Sequence, residues 1–169
     1  MPKALSRAIT LLAAVSAAVS LGGCGFTPLY AARGVAGGLS AIEVTAPPGR
    51  VAFLIAEDLE DALARDKALA PLWRLTFTVA ETRDPRGLSR ADVADRYALG
   101  MTVRYTLTSV ATGSIAESGE VVTQVNYDAA DAPYAGIAAR QNSQERAASD
   151  AARRIEIQLA AWLAHQSHP

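Results

Sequence analysis

Apolar positions along this chain switch between two periods, and each switch marks an element. Leu39 to Val44 is a short apolar run that predicts a first strand. After Pro47-Pro48, the residues Val51, Ile55, Leu59, Ala62 and Leu63 recur at helical spacing, which predicts a helix over 49–66 with one buried stripe. Glu57, Asp58, Glu60 and Asp61 fall largely on its other side, and Arg65 and Lys67 close its last turn, where the helix dipole favours cations. Trp73, Leu75, Phe77 and Val79 then alternate with Arg74, Thr76 and Thr78, the period of a strand with one buried face. Residues 81–96, ETRDPRGLSRADVADR, read as a polar loop.

A third strand is expected from Tyr97 to Val110, with Leu99, Met101, Val103, Tyr105 and Leu107 inward and Thr102, Arg104, Thr106 and Thr108 outward. Ala111-Thr112-Gly113 fits a three-residue hairpin loop with glycine in the left-handed position. The fourth strand returns over 114–127, with Val121, Val125 and Tyr127 on the inner face. Past Asp128 to Asp131 the helical period comes back over 134–164, with Ile137, Ala148, Ala151, Ile155, Leu159 and Trp162 as its stripe. At 1.5 Å per residue that helix spans ~45 Å. The expected fold is therefore α+β, in the order β-α-β-β-β-α: a two-layer sandwich whose four-stranded, mainly antiparallel sheet is covered on one face by two helices. Residues 39–164 form that domain, and 165–169 read as a disordered tail.

The N-terminus obeys neither period. Lys3 and Arg7 precede an uncharged run from Ala8 to Leu21, followed by Gly22, Gly23 and Cys24. Charged, then apolar, then small is the order of an export signal, and the apolar run is short of the ~20 residues of a membrane span. Leu21-Gly22-Gly23-Cys24 resembles the bacterial lipobox, in which the cysteine becomes the first mature residue and carries a diacylglycerol. Residues 1–23 are thus expected to be a lipoprotein signal and Cys24 the lipidation site. Two or more acyl chains, at ~0.8 kcal/mol per buried CH₂, make such an anchor stable. Residues 24–38, with Pro28 and four glycines, read as a tether that reaches at most ~50 Å at ~3.3 Å per residue. Gly25 rather than Asp after the cysteine is compatible with outer-membrane sorting.

Composition narrows the chemistry. The 169 residues hold 16 Lys+Arg and 17 Asp+Glu; without Lys3 and Arg7 the remainder carries 14 against 17, a net of −3. That balance, with 6% aromatic residues, argues against nucleic acid as a partner. The single cysteine, Cys24, cannot form an intrachain disulfide, and its place in the lipobox supplies the reason for keeping it. Both histidines, His165 and His168, lie in the last five residues, so the folded region has no imidazole or thiol for a nucleophilic triad or a zinc or copper site. No phosphate-cradling glycine loop follows a strand. No cofactor is expected beyond the lipid on Cys24. Asp92 and Asp95 are the remaining carboxylate pair, and Arg90 and Arg96 beside them point to solvated ion pairing rather than catalysis.

With these elements placed, the chain resembles the LPS-assembly lipoprotein family, the LptE subunit of outer-membrane lipopolysaccharide transport, in its alphaproteobacterial form. The resemblance rests on Cys24-Gly25-Phe26-Thr27-Pro28-Leu29-Tyr30 after the lipobox and on Arg96-Tyr97-Ala98-Leu99 opening a threonine-rich strand through Tyr105-Thr106-Leu107. It continues in Asp131-Ala132-Pro133-Tyr134-Ala135, which leads into Glu145-Arg146-Ala147-Ala148 and the Ile155, Leu159 and Trp162 helix. It implies a non-enzymatic plug inside the LPS-assembly β-barrel protein, held to the periplasmic side of the outer membrane by its lipid and helping to deliver lipopolysaccharide. The competing expectation is an auxiliary lipoprotein of a lipid-trafficking ABC transporter.

Lipopolysaccharide carries phosphates, so arginines are the candidate contacts. Arg74 and Arg104 share the polar sheet face. The hairpin centred on Thr112 places Arg104 opposite Glu120, so a cross-strand ion pair of ~0.2–1 kcal/mol is the favoured reading and a phosphate contact the sharper one. Arg83, Arg86, Arg90 and Arg96 form a second cluster, largely cancelled by Asp84, Asp92 and Asp95.

Overall fold

The structure is a computed structural model that describes residues 34–86, 96–128 and 133–166. The expected signal 1–23, Cys24 and the tether up to Arg33 lie outside the described residues, as do Arg90, Asp92 and Asp95. In chain order the elements are α1 (Val35–Ser40), β1 (Ile42–Thr45), α2 (Arg50–Ala62), β2 (Trp73–Arg86), β3 (Arg96–Ser109), β4 (Ile115–Asp128) and α3 (Pro133–Gln166). The sheet order is β1-β2-β3-β4; β1 runs parallel to β2, and the other pairs are antiparallel. This is the expected α+β sandwich with one short helix added in front.

The helix-covered face holds the core. Val51, Ile55, Leu59 and Leu63 of the α2 region, Leu75 and Phe77 of β2, Met101, Val103 and Leu107 of β3, and Ile155 and Leu159 of α3 are all buried. Ala147, Ala148, Ala151 and Ala152 put four small side chains on the inner stripe of α3, which lets the helix come close to the sheet and to α2. Trp73 and Trp162 meet edge to face at 5.1 Å and tie the last turns of α3 to the start of β2. A polar bridge at Gln144 spans the layers. Gln144 accepts a 3.1 Å hydrogen bond from Arg50 and donates to both oxygens of Glu81, at 3.2 and 2.9 Å, joining α2, α3 and β2. A buried amide satisfied on both sides is specific rather than merely tolerated.

Five expectations change. Residues 35–38, expected within the tether, are helical, and Val35 and Leu39 are buried; the domain therefore starts earlier than Leu39. The expected loop 81–96 is shorter, because β2 continues through Arg86 and β3 begins at Arg96 with unbroken pairing between them. Ile137, expected in the buried stripe of α3, is exposed, since the burial of that helix begins at Ser143 and Gln144. His165 and Gln166, expected in the tail, belong to the helix, so the folded region does hold one imidazole; residues 167–169 lie outside the described residues. Gly113 has φ 71° in the β3–β4 turn, as the turn chemistry required, although the connection runs from Val110 to Ser114 rather than over three residues.

Candidate functional site: the bare face of the sheet

Because side chains alternate along a strand, burying one set of positions commits the other set to the opposite face. No helix covers that second face among the described residues, and register allows it to be read row by row. Glu43, Arg74 and Thr108 form one row; Thr45, Thr76, Thr106 and Ser118 the next; Thr78, Arg104 and Glu120 a third. Ala80, Thr102 and Val122 follow, then Thr82, Gly100 and Gln124. Threonine suits this surface: its branched Cβ favours the extended backbone while its hydroxyl meets water. At Gly100 a Cβ would crowd the Thr82 hydroxyl, which would have to turn aside.

The two arginines singled out on this face are both paired across strands. Arg104 Nε lies 2.5 Å from Glu120 Oε2, in the register expected from the hairpin. Arg74 Nε donates to Glu43 Oε2 at 3.0 Å, a partner on β1 that the sequence reading did not supply. The two guanidiniums thus sit in separate ion pairs on one face, not in one cluster. These pairs are largely exposed, so each contributes at most ~1 kcal/mol. Their main effect is to leave the face polar and nearly neutral.

The second expected arginine cluster is split between faces. Arg86 and Arg96 stand directly opposite one another at the far end of the sheet, and Asp128 on the next strand takes a 2.9 Å hydrogen bond from Arg96. Arg83 instead has the parity of the helix side, where its guanidinium lies 3.6 Å above the centre of the Tyr97 ring. Tyr97 stacks on Tyr127 at 5.6 Å and 26°. The Tyr127 hydroxyl is buried and has no hydrogen-bond partner among the described residues. Sequence reasoning missed this aromatic–arginine stack. The available signal was that Arg83 continues the alternation of Trp73 to Val79, which shows only if β2 is extended through the polar segment.

A cleft of about 400 Å³ lies between β4 and the end of α3, lined by Tyr105, Glu117, Gln158 and Trp162 among others. There Tyr105 donates to Gln158 Oε1 at 2.9 Å, and burial, with the nearby Glu117 carboxylate, pushes its hydroxyl up to about 12. A neutral phenol locked to a helix supports packing rather than acid–base chemistry at ordinary pH. Among the described residues, no group of three His, Cys, Asp or Glu side chains is placed to hold a metal, and no helix is long and apolar enough to cross a membrane.

Fold and face together define a class: a small two-layer α+β domain that offers a broad, open, polar sheet face rather than an enclosed pocket. Comparison with known proteins makes the class particular. Residues 39–159 match the family model LptE, lipopolysaccharide-assembly, and the chain belongs to that family. A crystal structure of a protein described as a lipoprotein from Caulobacter crescentus CB15 is 44% identical, superposes with a TM-score of 0.69, and is matched over 79% of this chain and 97% of that one. That relative agrees with the alphaproteobacterial form of the family. Rare lipoprotein B from Shewanella oneidensis shares the fold at a TM-score of 0.58 and 16% identity, over 75% of this chain and 97% of that one. A minor lipoprotein from Acinetobacter baumannii does so at 0.51 and 16%, over 71% and 88%. No curated protein matches the chain.

Proposed function

We propose that this protein is an outer-membrane lipoprotein, anchored through Cys24 on the periplasmic side, that sits as a plug inside the LPS-assembly β-barrel and helps deliver lipopolysaccharide to the cell surface. Family membership supports the lipopolysaccharide-assembly setting. The observation that carries the plug role is the bare sheet face. The helices already fill the domain's core on the other side, so the domain stands alone without a partner's apolar surface. Its open face presents threonines and cross-strand ion pairs, a surface that stays hydrated against the wet wall of a barrel lumen. An obligate partner face would be more apolar. The role is one of binding and assembly, without catalysis.

Arg74 and Arg104 are the proposed phosphate contacts on that face. Each already has a carboxylate partner, so lipid phosphate has to compete with Glu43 and Glu120. The reading is tested by purifying the full-length, processed protein from its own envelope. It predicts copurification with an outer-membrane barrel and loss of surface lipopolysaccharide on depletion. A depleted strain with normal surface lipopolysaccharide overturns it.

A further inference from the structure

The bare face is not polar along its whole length. At the end where β2 begins and the β3–β4 turn lies, the rows become apolar. The Val110 amide donates to the Leu72 carbonyl at 3.0 Å, so the two residues continue the β2–β3 ladder one step beyond Trp73 and Ser109. Parity puts both on the bare face, and Ile115, opposite Thr108, joins them there. All three are large and substantially exposed, at 59%, 44% and 69% for Leu72, Val110 and Ile115. Leu69, 48% exposed, lies three residues before Leu72 on the connection from α2. Burying a cluster of this kind is favourable in proportion to the apolar surface removed from water. Among the described residues nothing covers it.

The position of the chain's start says what covers it. The Leu72 amide donates to the Ala41 carbonyl at 3.0 Å, and α1 immediately precedes Ala41. That helix has six residues, ~9 Å of rise. Ten residues, 24–33, separate Gly34 from the cysteine, inclusive, and span at most ~33 Å fully extended. The apolar cluster thus lies at the end of the sheet from which the chain leads back to Cys24. The opposite end of β2, at Arg86, is fourteen residues further along the strand, ~46 Å away. Charge near the cluster is balanced, with Arg65 and Lys67 set against Asp66 and Glu60.

We infer that Leu72, Val110 and Ile115 form a membrane-contact patch, which rests on the phospholipid surface in which the acylated cysteine is anchored. The inference rests on the anchored reading of Cys24. It makes orientation a property of the fold: the patch and the acyl chains fix one end of the domain at the bilayer, and the polar strand ends point away. Because local charges cancel, the contact is apolar and depends little on salt.

The test uses two forms of the protein, residues 24–169 made without the signal and carrying Cys24→Ser, and the natively acylated chain. In the unacylated Cys24→Ser chain, partition onto phosphatidylcholine vesicles is expected to be weak, insensitive to salt, and reduced at least about tenfold by combining Leu72→Ser, Val110→Ser and Ile115→Ser, three losses of half-exposed apolar area. Unchanged helicity and melting temperature establish that the triple variant is folded. In the acylated protein in its native envelope, a benzophenone side chain at position 72 or 115 is expected to crosslink to phospholipid, and one at position 78 is not. Equal partition of the two unacylated forms, or crosslinks from 72 and 115 only to protein, overturns the patch. Absence of palmitate incorporation overturns the anchor instead, so the two failures are told apart.

Discussion

The two faces of this sheet are built from the same strands in alternate positions, yet they obey opposite rules. On the covered face, Leu75, Met101, Val103 and Leu107 are almost completely buried, and their contribution comes from packing density. On the bare face, one residue away along each strand, Thr76, Thr102, Arg104 and Thr108 meet solvent and contribute little to stability. A one-residue slip would exchange them, which is why the register is so strongly specified. The difference separates the parts of the sequence that answer to folding from those free to answer to a partner.

That separation breaks most visibly under truncation. Leu75→Ala opens a cavity beneath α2 and α3 and is expected to destabilise the domain by ~2–5 kcal/mol in chemical denaturation. Thr76→Ala, the next residue along, is expected to change stability by no more than ~0.5 kcal/mol. Comparable losses at both positions would mean that the bare face is packed against something the isolated domain already contains.

Next in size is the Arg104–Glu120 pair. A double-mutant cycle with Arg104→Ala and Glu120→Ala is expected to give a coupling energy of ~0.2–1 kcal/mol, lower at high salt. If the pair exists for folding alone, Arg104→Ala leaves lipopolysaccharide display intact; a display defect at unchanged melting temperature identifies the arginine as a lipid contact.

The smallest effect lies on the helix layer. Burial, with the Glu57 and Asp61 carboxylates on the same helix, raises the Asp58 carboxyl above its ordinary value of 3.8, while Arg153 opposes the shift. A raised carboxyl binds its proton more tightly folded than unfolded, so its ionisation costs stability as pH climbs past the ordinary value. Asp58→Asn removes that cost. The variant's stability relative to the parent is therefore expected to be slightly greater at pH 7 than at pH 3, read from melting temperatures at the two values.

Much of this architecture was legible in the period of the apolar residues, and the failures have physical causes. The strand faces, the α2 stripe and the Arg104–Glu120 register followed from alternation and one glycine turn. α1 did not, because VAGGLS is a poor helix by propensity. It persists through burial of Val35 and Leu39 and a close approach at Gly38, where a Cβ would sit 2.9 Å from the Leu163 methyls. The outer half of β2 was hidden by polar residues of both parities and by Pro85. A proline is tolerated there because β1 pairs only as far as Thr76, leaving the far edge of β2 unpaired where Pro85 lies. The Glu43 partner of Arg74 required knowing that β1 joins the sheet parallel to β2, which periodicity does not encode. Of the candidate site, the polar face could be read in advance, whereas the Arg83–Tyr97–Tyr127 stack depended on the missed extension.

Site-specific photocrosslinking from the bare face in living cells tests the central claim most directly. A benzophenone placed at position 76 or 106 in the acylated protein is expected to capture an outer-membrane LPS-assembly barrel, while one at the exposed Glu57 of α2 serves to map the opposite layer. Efficient capture of that barrel from 76 and 106 is the result the account predicts. A bare face that captures no barrel, in cells where the protein is acylated and folded, contradicts it.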